Sequence, residues 1–240
     1  MKELSIVDCM EQISPKRIGK YIQELEGVRH PSADPSTLER AADTIFAVLE
    51  SYGYHVAAHI FQVEERQYRN IIATRRGVRH PDERVMVIAR YDTVSNSPGA
   101  DDNASGVGVL LELAAVLKPL IFERSVQFIA VNLEERQREG PLEEAGLFGS
   151  RVLVSKAKAE GWKINGAVVL ESIAYAGDTI VQSAPQGLPM KIPETGDFIA
   201  IVGNQASQNL VETFISAVKH YKIPLPVLPL VIPREGRMLP

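Results

Sequence analysis

The acidic side chains that could do chemistry fall at one kind of place. Asp92 follows an apolar run at 85–89, and Asp101 and Asp102 lie in the Ser-, Pro-, Gly- and Asp-rich loop after it. Glu134 and Glu135 end a second apolar run at 126–133, and Glu171 ends a third at 167–170. Short apolar runs of this kind read as strands covered on both faces. In open α/β sheets, ligands bind outside the carboxyl ends of the strands. Carboxylates gathered there repel one another and stay ionised only beside a cation; without one, some of their pKa values rise. Such an oxygen-rich cluster suits divalent metals, and a carboxylate bridging two ions ~3.5–4 Å apart makes a two-metal site. Each residue alone has a simpler reading. A Glu-Glu pair is commonly a solvated strand end, and Asp102 or Asn103 before an apolar helix is commonly an N-cap. The coincidence of three strand ends is what sets the metal-site reading level with these.

The elements that must position these groups alternate along the chain. Ser14-Pro15 opens a helix carrying Ile18, Tyr21, Ile22 and Leu25 at helical spacing. A capping box from Ser36 to Glu39 opens a second, with Leu38, Ala41, Ala42, Ile45, Phe46 and Leu49 on one face and Gly53 at its end. Residues 54–63 and 69–74 read as strands. The apolar runs then alternate with helices at 105–117 and 146–160, and strands at 198–203 and 227–232 flank a helix at 207–220. This order predicts a three-layer α/β/α fold with a mostly parallel mixed sheet, in one domain over 1–240.

Composition narrows the function classes. The 240 residues carry 26 Lys and Arg against 30 Asp and Glu, a net charge of −4, so no basic field favours nucleic acid or an anionic membrane surface. The single cysteine, Cys9, excludes an internal disulfide framework and any thiolate-rich zinc site. The opening MKELSIVDCMEQISPKR has no signal-peptide pattern, and no apolar run is long enough to span a bilayer, so a cytoplasmic protein is expected. Other candidate motifs fail. His55 and His59 lie four apart on a predicted strand, ~13 Å from each other and too far for one metal. GVGVLL (106–111) lacks the third glycine of a dinucleotide loop, and GSR (149–151) is no nucleophile elbow.

Several segments together resemble the M28 family of co-catalytic zinc aminopeptidases. They are RYDTVSNSPGADDNASGVGVLLELA (90–114), VNLEE (131–135), GLFGSR (146–151), VVLESIAY (168–175), GDFIAIVGN (196–204) and the opening GVRHPSADPSTLERAADTIFAVLESYGYHV (27–56). The resemblance implies a zinc-exopeptidase fold with two zinc ions and release of N-terminal residues from peptides that have a free N-terminus. It implies that Asp102 bridges the metals, that Glu135 ligates one and Glu171 the other, and that Glu134 is the general base. Asp92 would orient the residue two before it. Such a site lowers the pKa of a metal-bound water and polarises the scissile carbonyl, with a free carboxylate moving the proton.

Two features depart from the family. Its H-x-D motif begins with a zinc-binding histidine, and Arg90 stands in that position here. A guanidinium stays protonated and has no lone pair for zinc. The family's other histidine ligand follows a strand like PVLPLVIP (226–233), and this sequence reaches Pro240 without it. The sheet is therefore expected to lack the family's last strand, leaving an exposed edge through which chains could associate. Reduced or absent zinc occupancy is expected, with the Arg90 guanidinium held by Asp92, Asp102 or Glu171 where one zinc would sit. Against the aminopeptidase reading stands a non-catalytic member of the fold. A single-zinc acyl transferase such as a glutaminyl cyclase also uses this fold, but needs histidine ligation too. The insert RQREGPLEEA (136–145) is expected to border the site.

Overall fold

The computed structural model describes residues 5–135, 146–182 and 192–232, so the insert at 136–145 lies outside the described residues. The chain divides into two compact units, Met1–Ser172 and Ile173–Pro240.

The first unit opens with three helices, α1 (Ile6–Glu11), α2 (Pro15–Leu25) and α3 (Pro35–Ser51), followed by strands β1 (His55–Val63), β2 (Arg66–Arg75) and β3 (His80–Arg90). Helix α4 (Gly106–Leu117), β4 (Arg124–Val131), α5 (Phe148–Ala159) and β5 (Lys163–Leu170) complete it. Ser14 caps α2 through the Arg17 amide, with Pro15 in the first turn, as the sequence predicts. The start of α3 differs from the expected Ser36–Glu39 box. Asp34 is the cap, accepting from the Thr37 amide at 2.9 Å and from the Ser36 hydroxyl at 2.8 Å. A carboxylate followed by Pro35, whose fixed φ suits the first turn, starts the helix two residues early.

The five strands run in the order β1-β2-β4-β3-β5, with β1·β2 and β2·β4 antiparallel and β3·β4 and β3·β5 parallel, a mixed sheet. Alternation along the strands sorts side chains between two layers. Val126, Phe128 and Ala130 of β4 join Ile71, Ala73 and Ala89 under Leu38, Ile45 and Leu49 of α3 and Val107, Leu110 and Leu111 of α4. Ile129 and Val131 point the other way, to Ile72, Met86 and Leu153 of α5. Helices thus cover both faces of the sheet. Tyr54 stands edge-on to Phe128 at 5.4 Å within the larger layer. His55 and His59 do lie on a strand, β1, and Cys9 is buried and unpaired with any other cysteine.

The second unit holds an antiparallel pair, β6 (Gly177–Val181) and β7 (Thr195–Gly196), and a parallel pair, β8 (Ile199–Asn204) and β9 (Val227–Ile232), joined through α6 (Gln208–His220). His220 is the last residue of α6, exposed, with its ring edge-on to Tyr221 at 4.8 Å. No helix among the described residues is long and apolar enough to cross a membrane.

Candidate functional site

The parallel register brings three strand ends level. Arg90 pairs with Val131 of β4, and Ala89 with Leu170 of β5. Arg90 itself, Asp92 two residues on, Glu134 and Glu135 after β4, and Glu171 after β5 therefore leave the sheet at one end. Asp102 reaches the same place from a wide turn at Ala100–Ser105 that feeds α4, and the Asp102–Asn103 peptide is cis.

That turn is held from beneath by Arg29, 1% exposed. Its guanidinium donates to the backbone carbonyls of Tyr91 (2.7 Å), Gly27 (2.9 Å), Pro98 (3.0 Å) and Gly99 (2.8 Å), and to that of Leu25. Gly99 lies at φ 61, where glycine is favoured, and a Cβ there would stand 2.6 Å from Arg29 Nη2. Burial pulls the Arg29 pKa down to about 10, against the pull of Asp92. Asn103, fully buried, joins the strand ends to the helix. Its Nδ2 donates to the Leu170 carbonyl at 2.9 Å and to Glu171 Oε2 at 3.3 Å, while its Oδ1 accepts from the amides of Gly106 at 3.1 Å and Ser172 at 3.2 Å.

The Arg90 guanidinium lies at the centre. Nε donates to Glu171 Oε1 at 2.8 Å, Nη1 to the Asp92 carbonyl at 3.1 Å and Nη2 to Asp102 Oδ1, and Nη1 forms an ion pair with Glu135 Oε1 at 2.7 Å. Burial alone would lower its pKa, but Glu171, Glu135, Asp102 and Asp92 together raise it above the ordinary arginine value. The side chain is 12% exposed, beneath rim carboxylates at 53% (Asp102) and 45% (Glu171). Glu171 is pushed up by burial, with Arg90 drawing it back and Asp102 alongside adding to the rise.

Glu134 and Asp92 take different positions. Glu134 Oε1 accepts from the Ser150 amide at 2.7 Å, in the first turn of α5, while burial raises its pKa. A Cβ at Gly149 would stand 2.6 Å from Asn70 Oδ1, so glycine lets α5 approach this closely. Asn70 locks that junction, accepting from the Asn132 amide at 3.1 Å and donating to the Gly149 carbonyl at 2.9 Å. The Asp92 carboxylate does not hold Arg90. Its Oδ2 accepts from the Glu135 amide at 3.0 Å, Oδ1 has no partner among the described residues, and burial pushes the group up to about 6.

The structure thus brings Arg90, Asp102, Glu135 and Glu171 together in direct contact. Glu135 joins the guanidinium although only Asp92, Asp102 and Glu171 were expected as its partners; Asp92 contributes through its backbone carbonyl. Arg29, Asn103 and Asn70 were not foreseen as supports, because a buried polar residue has no periodic signature. The GVRHP and ADDNAS segments around the first two were the available signal.

The donor set does not fit two zinc ions. One oxygen of each motif-matched carboxylate is taken by the guanidinium, the histidine position is Arg90, and no group of three or more His, Cys, Asp or Glu side chains among the described residues is arranged to hold a metal.

Residues 70–221 match the sequence profile described as Peptidase family M28. The chain is 32% identical over 222 residues to the uncharacterized protein YfbL of Escherichia coli K12, covering 85% of this chain and 64% of that protein. It is 46% identical over 69 residues to aminopeptidase YwaD of Bacillus subtilis, 28% of this chain and 15% of that one. It therefore spans less than two thirds of either relative. The glutaminyl cyclase of Porphyromonas gingivalis superposes with a TM-score of 0.69 at 20% identity, over 93% of this chain and 76% of its own, a likeness of fold. On the sequence match, the shared fold and the strand-end carboxylates, the chain belongs to peptidase family M28.

Proposed function

We propose that this chain is a non-hydrolytic member of the M28 fold, in which the Arg90 guanidinium rather than a pair of zinc ions neutralises the strand-end carboxylates. The observation that carries this reading is the contact of one guanidinium with Asp102, Glu135 and Glu171. A guanidinium has a single delocalised positive charge and no acceptor for a lone pair, so it neither ligates water nor lowers its pKa as a metal does. Peptides with a free N-terminus are the ligand class that the family suggests, bound without cleavage.

A second reading, zinc-dependent release of N-terminal residues, is favoured by Glu134. Its half-buried carboxylate has a raised pKa and a fixed orientation on the Ser150 amide, the properties of a poised general base. The two readings separate on one assay. Hydrolysis of a panel of aminoacyl chromogenic substrates is measured with and without added zinc, with Glu134→Gln as control. No turnover above that control supports the non-hydrolytic reading; zinc-dependent turnover abolished in Glu134→Gln replaces it with the second.

A further inference from the structure

We infer that Arg90 is a built-in surrogate for a metal ion, and that removing its side chain leaves a preformed site for a free cation: a small guanidinium compound in Arg90→Ala, a divalent metal in Arg90→His. The inference rests on the non-hydrolytic reading above and adds to it what holds the carboxylates apart and what else could do so.

The guanidinium does geometrically what a resident ion does. Its three nitrogens address three carboxylates from three separate segments: Glu171 after β5, Glu135 after β4 and Asp102 in the turn after β3. Planar, forked donors meet three carboxylates at once in a way that a single ammonium cannot. The cation is also more buried than Asp102 and Glu171 at its rim, so a solute can reach the position once the arginine stem is gone.

The segments that carry the carboxylates are anchored independently of Arg90. Asp102 is carried on the turn that Arg29 grips through Pro98 and Gly99. Glu135 is fixed by its amide on Asp92 Oδ2, and Glu171 by Asn103 on its carboxylate and on the neighbouring Ser172 amide. Truncating residue 90 therefore leaves three carboxylates facing one another across a gap with no counterion, the situation a free cation relieves. A histidine at this position would add a nitrogen donor to the same oxygens, within reach of the ligand number of a zinc site. In the wild-type chain the place is taken, so added cations find no vacancy.

The test is the thermal unfolding midpoint of the full chain as wild type, Arg90→Ala and Arg90→His. Each is measured alone, with millimolar methylguanidinium, with methylammonium at equal ionic strength, and with micromolar zinc chloride, alongside metal analysis after dialysis. Arg90→Ala is expected to unfold roughly 5 °C below wild type. Methylguanidinium should restore at least half of that loss, methylammonium should not, and wild type should respond to neither. Arg90→His should retain stoichiometric zinc and gain stability with it. Arg90→Lys serves if Arg90→Ala does not fold; it keeps the charge but offers one ammonium, and should fall below wild type. Equal stability of all the variants, equal rescue by methylammonium, or zinc retention by wild type to the same level as Arg90→His would overturn the surrogate role. Failed rescue in a chain that still shows no hydrolysis sinks this inference alone; hydrolysis by wild type sinks the reading beneath it.

Discussion

Arg90 and Glu171 stand at the carboxyl ends of two parallel neighbours, β3 and β5, and Nε of the first donates to Oε1 of the second at 2.8 Å. The two residues are 81 positions apart in sequence and meet because Ala89 pairs with Leu170. Arg90 serves three carboxylates and Glu171 only one guanidinium, so the two ends of this pair should respond unequally to mutation. Glu171→Gln removes one of three anions at an exposed rim and is expected to cost ~1 kcal/mol or less. Arg90→Met leaves all three anions without their cation and should cost about 2–3 kcal/mol. Urea unfolding of the two variants at unchanged m-value measures the difference.

Asn103 is the joint between strand ends and helix. Asn103→Ala removes the side-chain partner of the buried Gly106 amide, of the Ser172 amide and of the Leu170 carbonyl. The expected loss is about 2–3 kcal/mol, at about 1 kcal/mol for each hydrogen bond removed. Urea midpoints should show that loss.

A second ion pair lies away from the site. Glu112, in the middle of α4 and 2% exposed, accepts from Arg17 Nε and Nη2, both at 2.6 Å, and from the Ser14 amide at 2.7 Å, strapping α2 to α4. Arg17→Met would leave this buried carboxylate with the Ser14 amide alone among these donors. The Arg17 end is open to water, so the expected loss is ~2 kcal/mol, below that of a fully buried pair. Arg17→Met/Glu112→Leu should recover part of it, because no uncompensated charge then remains. Denaturant unfolding of the single and double variants provides the check.

The cap of α3 gives a pH dependence of definite sign. The Thr37 hydroxyl and amide and the Ser36 hydroxyl hold Asp34 down at about 2. A carboxylate depressed in the folded state stabilises it fully above the unfolded value, ~3.9, and this contribution is lost as pH falls toward 2. Asp34→Ala should therefore lower the thermal midpoint at neutral pH, and the gap from wild type should narrow on acidification between pH 4 and 2. A gap that stays constant or widens over that range would contradict the assignment.

The strand-end carboxylates were legible in the sequence because each follows an apolar run, although the run at 167–170 is not covered on both faces as expected: it lies on β5, the last strand of the sheet order, where Val169 is 63% exposed. The Arg90 substitution was legible because its position in H-x-D is fixed two residues before Asp92. Of the carboxylates the guanidinium reaches, Asp102 and Glu171 were legible and Glu135 was not. Glu135 joins it through the level ends of β3 and β4, a consequence of strand register, while the Asp92 carboxylate turns to the Glu135 amide. The α3 cap was misplaced because Ser36 and Glu39 match a capping box in spacing, yet Asp34 with Pro35 offers the better acceptor and the preset φ. Helix α1 is a six-residue element, too short for a periodic signal, and β7 has two residues. Arg29 and Asn103 are defined by backbone carbonyls and amides brought together from distant segments, so side-chain patterning could not reveal them.

The central claim is that Arg90 fills the place of the metal. Its most direct test is the zinc-to-protein ratio of the wild-type chain after equilibration with zinc and exhaustive dialysis. Zinc well below one ion per chain is the predicted result; two ions per chain with Arg90 present would contradict it.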